Sequence, residues 1–98
     1  MFTGIITGVG RIAAIDALGS SSQHGKHLTV HCPPGYLEDV ALGDSIALNG
    51  ACMTVTHIDT GANALGFDVS AESLARTAGL DAPGPLNLEK ALRANARL

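Results

Sequence analysis

The chain has 98 residues, 46% of them hydrophobic but only 3% aromatic, with no Trp and a formal net charge of -3. That length implies one compact domain with one core, built from Ile, Leu, Val and Ala, and argues against a catalytic cleft between two internal domains. No Lys/Arg cluster supplies a nucleic-acid footprint, no apolar run approaches the ~20 residues of a membrane span, and the first residues lack a secretory pattern; a soluble, cytoplasmic protein is expected.

Gly4, Gly8 and Gly10 punctuate an apolar segment containing Ile5, Ile6, Val9, Ile12 and Ile15, which predicts a long first strand bent or bulged at its glycines. The spacing is not GxGxxG and no helical pattern follows, so a phosphate loop is disfavoured. A Ser-rich loop from Gly19 to Gly25 leads into His27-Leu28-Thr29-Val30-His31-Cys32, whose alternation is that of a half-buried strand with Leu28, Val30 and Cys32 inward. Pro33-Pro34-Gly35 ends it, and Tyr36 to Val40 is a candidate helical turn.

Gly43-Asp44 opens a strand from Ser45 to Leu48, Asn49-Gly50 is a strong two-residue hairpin signal, and Ala51 to Ile58 forms the return strand. A turn at Thr60-Gly61-Ala62-Asn63 precedes Ala64 to Val69, where Leu65, Phe67 and Val69 point inward. Ser70 reads as the N-cap of a short helix from Ala71 to Ala78, with Glu72 in the first turn and Gly79 at the end. Pro83-Gly84-Pro85 is expected to turn into a last strand, Leu86 to Leu88, and Glu89 to Leu98 has the composition of a terminal helix or a linker. Six short strands with turns at roughly 8–12-residue spacing predict an all-β barrel or sandwich, and a closed barrel leaves no exposed edges.

Three groups of side chains invite chemistry. His24, His27, His31 and Cys32 have metal-binding character, but strand residues four apart are separated by about 13 Å and Cys32 lies on the opposite face, so surface histidines are the expectation and no metal is predicted. Cys52 shares a strand face with Thr54 and Thr56, opposite Ala51, Met53 and Val55; it is either a packed, inert thiol or a polar contact for a ligand. His57 alternates to the other face, which does not support a Cys/His pair. Asp68, Ser70, Glu72 and Ser73 stand where a strand passes into a helix; they read as helix capping or as a hydrogen-bonding cluster for a polyol. The two cysteines are expected to be free thiols.

Met1-Phe2-Thr3-Gly4-Ile5-Ile6, the run Gly43 to Thr56 (GDSIALNGACMTVT), the run Phe67 to Thr77 (FDVSAESLART) and Leu86 to Leu92 (LNLEKAL) together resemble the N-terminal repeat of the riboflavin synthase family, in the family's order and over nearly the whole chain. The resemblance implies an all-β, six-stranded Greek-key closed barrel with one or two short helices, occupying residues 1–90, with 91–98 as a terminal helix or the start of a linker. It implies binding of 6,7-dimethyl-8-ribityllumazine or riboflavin. The family's reaction dismutates two lumazines to riboflavin and 5-amino-6-ribitylaminopyrimidinedione without an external cofactor, where two barrels of neighbouring subunits meet.

Carried over by position, Gly4, Ile5 and Ile6 border the ring, and Ser45, Cys52, Met53 and Thr54 line the pocket. Asp68, Val69, Ser70, Ala71, Glu72 and Ser73 hold the pyrimidine edge and ribityl chain, and Phe2 reaches toward a neighbouring subunit. Cys52 and Phe2 are the implied catalytic side chains. Family members are about twice as long and form homotrimers, so an isolated N-barrel that binds ligand, turns over poorly and pairs as a homodimer is expected. The alternative is a non-catalytic flavin or lumazine carrier on the same barrel.

Overall fold

A computed structural model of the chain describes residues 7–19 and 25–91. Six antiparallel strands, β1 (Gly8–Ala17), β2 (Lys26–His31), β3 (Ser45–Leu48), β4 (Ala51–Asp59), β5 (Ala64–Val69) and β6 (Gly84–Lys90), close in the order β1-β2-β5-β4-β3-β6. The hairpin-linked strands β3, β4 and β5 are followed by β6, which returns to lie beside β3; this is a Greek key. A 3₁₀ turn (Tyr36–Asp39) and one α-helix, α1 (Ala71–Arg76), lie in the connections. The fold is the expected all-β barrel.

The β3–β4 hairpin forms where expected: Asn49 (φ 49°) and Gly50 (φ 90°) both take positive φ, the demand of a tight hairpin turn that Asn-Gly meets at little cost. Alternation then fills the interior. Ile12, Leu28, Val30, Ile46, Leu48, Val55, Leu65, Phe67, Val69, Leu86 and Leu88 are all at most 2% exposed, and Leu80 and Tyr36 enter the core from the connections. Six strands enclose space only for side chains, so the barrel is solid.

Several expectations shift. The register of the first strand with β6 runs unbroken through Gly8 and Gly10, and the slip falls between Ile12 and Ala14 instead; Gly4 lies outside the described residues. Gly8 and Gly10 leave space, since a Cβ would lie 3.0 Å from the Tyr36 ring at Gly8, and 2.7 Å from the His31 carbonyl and 2.9 Å from Leu88 at Gly10. Cys32 is half-buried against the core rather than fully inside. A second slip, between Val55 and His57, leaves both Thr56 and His57 exposed, so His57 does not alternate to the inner face. The helix ends at Arg76 rather than Ala78. Strand β6 runs from Gly84 to Lys90, so Pro83-Gly84-Pro85 is not wholly a turn and Glu89-Lys90 is strand, paired with β3. Residues 92–98, the remainder of the expected terminal helix or linker, lie outside the described residues.

Candidate functional site

With the interior filled, polar chemistry is displayed on the outer wall. On β4 the exposed positions Cys52, Thr54 and Thr56 alternate with buried Met53 and Val55. Thr54 is the register partner of Ser45 on β3, and Val55 with Phe67 is the last pair of the β4–β5 ladder, so Thr54 and Asp68 each stand one residue beyond it. Asp68 is the register partner of His27 on β2, and His27 that of Asp16 on β1. A polar row, Asp16, His27 and Asp68, thus crosses β1, β2 and β5, and the pair Thr54 and Ser45 lies on β4 and β3 across the point where β4 and β5 part. Beyond Val55 and Phe67 the two strands part: β4 continues along β3 and β5 along β2. Helix α1 starts at the end of β5, immediately after this divergence.

A second row lies one step toward the hairpin. Cys52 pairs with Ala47 on β3, and Ala47 with Glu89 on β6. Ala47 also belongs to the lining of a concavity of about 480 Å³, with Asn49, Ala78, Asn87 and Glu89 around it. The concavity lies on the β3–β6 side of Cys52. Asn49 holds its rim: its Nδ2 donates to the Ala78 carbonyl at 3.0 Å, its Oδ1 accepts from the Asn87 amide at 2.8 Å, and its own amide donates to the Asn87 carbonyl at 2.9 Å.

Of the expected site residues, the structure pairs Ser45 with Thr54, sets Cys52 two residues along the same face, and places Asp68 across the divergence of β4 and β5, with Ser70, Ala71, Glu72 and Ser73 at the adjoining helix start. Met53 and Val69 face the core, 8% and 0% exposed, so only their backbones are open to a ligand on the wall. Ser70 is the helix cap: its Oγ accepts from the Ser73 amide and donates to the Ser73 Oγ, both at 3.1 Å. Glu72 pairs with Arg76 at 2.9 Å, an exposed i,i+4 contact of little energetic weight. Phe2, Gly4, Ile5 and Ile6 lie outside the described residues.

Two residues of the wall were read differently from sequence. His27, taken as a surface histidine, places Nδ1 2.6 Å from Asp68 Oδ1. Asn49 is more than a turn residue, since it ties three segments together, and nothing in the sequence beyond the Asn-Gly turn itself signals that role. Burial holds the Cys32 thiol up, at about 11 against an ordinary 9.0, and Lys90 and a backbone hydrogen bond offset this only in part. Cys52 is exposed. Among the described residues no three His, Cys, Asp or Glu side chains converge as a metal site, and no helix is long and apolar enough to cross a membrane.

Fold and wall define a class: a small, solid Greek-key barrel whose polar groups converge outside the barrel, at the junction of β4, β5 and α1. The chain matches the lumazine binding domain model over residues 3–91 and belongs to that family. It is 43% identical over 99 residues to the riboflavin synthases of Actinobacillus pleuropneumoniae and of Bacillus subtilis (strain 168), covering 99% of this chain and 43% of each relative. The riboflavin synthase of Schizosaccharomyces pombe (strain 972 / ATCC 24843) is 31% identical over 98 residues, covering 100% of this chain and 45% of that protein. The chain is thus homologous to the N-terminal domain of riboflavin synthase and spans less than half the length of these curated relatives.

Proposed function

We propose that this barrel binds a ribityl-lumazine, or riboflavin, flat against its outer wall, and that it serves as one of the two substrate-holding barrels of a riboflavin synthase reaction. The observation that carries the reading is the set of polar groups on the outer wall around the divergence of β4 and β5: paired Ser45 and Thr54 with exposed Cys52 on one side, exposed Asp68 and the start of α1 on the other. Hydroxyls that both donate and accept, and a carboxylate that only accepts, match the mixed demands of a pyrimidine edge and a polyol chain. The backbones of Met53 and Val69 and the Ser70–Ser73 turn, with Ala71 and Glu72, add contacts in this reading, and Gly4, Ile5 and Ile6 border the ring.

The filled interior favours the wall over the barrel lumen as the place for a planar ring. A ring held on a wall offers its second face to another ring, which is the geometry a reaction between two lumazines requires; holding both in register supplies much of the rate. One lumazine gives four carbons and the other receives them, so no external cofactor enters. Exposed Cys52, and Phe2 reaching to a neighbouring barrel, are the side chains assigned to that encounter. Two opposed barrels are needed, in a homodimer of this chain or in the homotrimer expected of longer members.

Titration with riboflavin while following flavin fluorescence tests the reading. Quenching that saturates at one flavin per chain is expected, and Thr54→Ala or Asp68→Ala should weaken binding about three- to tenfold, the worth of one hydrogen bond, with the circular dichroism unchanged. An unquenched signal at micromolar ligand would refute it.

A further inference from the structure

The expected site includes Asp68 but not the group bonded to it. Asp68 is an exposed strand residue, and an aspartate so placed is free to rotate. Here it is held: His27 Nδ1 lies 2.6 Å from Asp68 Oδ1, with the two side chains 28% and 50% exposed. A carboxylate only accepts, so Nδ1–H donates. The contact depends on Gly66, the residue on β5 two before Asp68. The imidazole lies across Gly66 so closely that a Cβ there would come within 2.8 Å of Cε1 and Nε2, and within 2.9 Å of His57 Cβ on β4. Any larger residue at 66 would displace the ring. Among the described residues, Nε2 makes no hydrogen bond, so Nδ1 carries the polar role of the imidazole.

We infer that His27 is a positioning residue of the ligand site, acting through Asp68, an inference that rests on the binding reading above. The imidazole fixes the carboxylate on the outer wall with Oδ1 occupied. Oδ2 is left to accept from a ribityl hydroxyl or a ring N–H. Fixing the rotamer before the ligand arrives removes an ordering cost from binding. His27, Gly66 and Asp68 then form one unit: a donor, the space that admits it and the acceptor it orients.

The test separates the two ring nitrogens. In His27→Asn the amide nitrogen sits on Cγ, where Nδ1 sits; in His27→Gln it reaches the position of Nε2; in His27→Ala both are lost. Riboflavin titrations should show binding weakened about three- to tenfold in the Ala and Gln variants and within about twofold of the parent in the Asn variant. In an Asp68→Ala background the three substitutions should have no further effect. Gly66→Ala, which drives the ring away while leaving His27 in the chain, should behave like His27→Ala. Equal affinity in the parent and all three His27 variants would overturn the inference and leave the binding reading standing. So would rescue by Gln and not Asn, which would mean direct contact through Nε2. If the parent itself does not bind riboflavin, the binding reading fails and this inference with it.

Discussion

Replacing Lys90 by Met keeps the length and apolar stem of the side chain and deletes its ammonium, charge and N–H donors together. Lys90 is the last residue of β6, its side chain 13% exposed, and its Nζ donates to the Tyr36 carbonyl at 2.7 Å and to Asp39 Oδ1 at 2.5 Å. The ammonium also lies 3.9 Å from the centroid of the Tyr36 ring. Tyr36 closes one end of the barrel against Gly8, and its hydroxyl is 3.0 Å from Thr7 Oγ1, so Lys90 staples the 3₁₀ turn across the mouth. A hydrogen bond from a charged donor is worth about 1.5–3 kcal/mol. The ring contact adds about 0.5–2 kcal/mol. The ion pair adds less than about 1 kcal/mol, because Asp39 is half exposed and screened. Recovering the desolvation cost of a nearly buried ammonium offsets part of this, and a net loss of about 2–3 kcal/mol is expected. With an unfolding entropy near 2.1 cal/mol/K per residue, that is a fall in Tm of roughly 10–15 °C, read by thermal circular dichroism. Asp39→Asn, which removes only the screened pair, should cost less than about 5 °C. If Lys90→Met lowers Tm by no more than Asp39→Asn does, the staple has no stabilising role and the reasoning fails.

Three further outcomes follow from the geometry. Alkylation of the native chain near neutral pH, read by peptide mass spectrometry, should modify exposed Cys52 and spare Cys32; labelling of both at the same rate would contradict the burial seen here. The Cys32 thiol is held at about 11 against an ordinary 9.0, chiefly by burial, so the folded state retains its proton where the unfolded chain loses it. Its contribution to stability is complete below 9.0 and is lost as the pH rises toward about 11, which denaturant midpoints across that window would record. Asn49→Ala should destabilise by about 2–3 kcal/mol in urea titrations, since it loses the side-chain bonds to Ala78 and Asn87 and forces Ala into positive φ. Asn49→Gly should recover about 1 kcal/mol, the backbone share.

The fold was legible where local signals and global packing agree. Asn49-Gly50 demands a hairpin, and the period-2 patterns of β2 and β5 sort core from wall without reference to any other strand. The errors arose where one residue's role is set by a partner distant in sequence. Gly8 and Gly10 look like bends in a lone strand, yet they are small because Tyr36 and Leu88 fill the space above them. Glu89 and Lys90 have helical composition, but Lys90 pairs with Ile46 and Glu89 with Ala47, and the ladder outweighs propensity. The slip at Thr56 is equally hidden, since a bulge changes the face of His57 without altering the sequence pattern that precedes it.

The site divides along the same line. Cys52, Thr54 and the Asp68–Ser73 cluster are contiguous runs, so their shared face or shared helix start can be read directly. That Thr54 stands opposite Ser45, and Asp68 opposite His27, depends on the register of four strands, and no local pattern encodes it. The His27–Asp68 contact is more hidden still, because 41 residues separate its partners. What the sequence does hold is Gly66, a glycine inside an otherwise apolar strand, where a missing side chain marks a close approach by something else. That something is the His27 ring. In this barrel Gly66 leaves the space for a ring carried by the paired strand, and the carboxylate two residues on, on the same face, is the group that ring bonds.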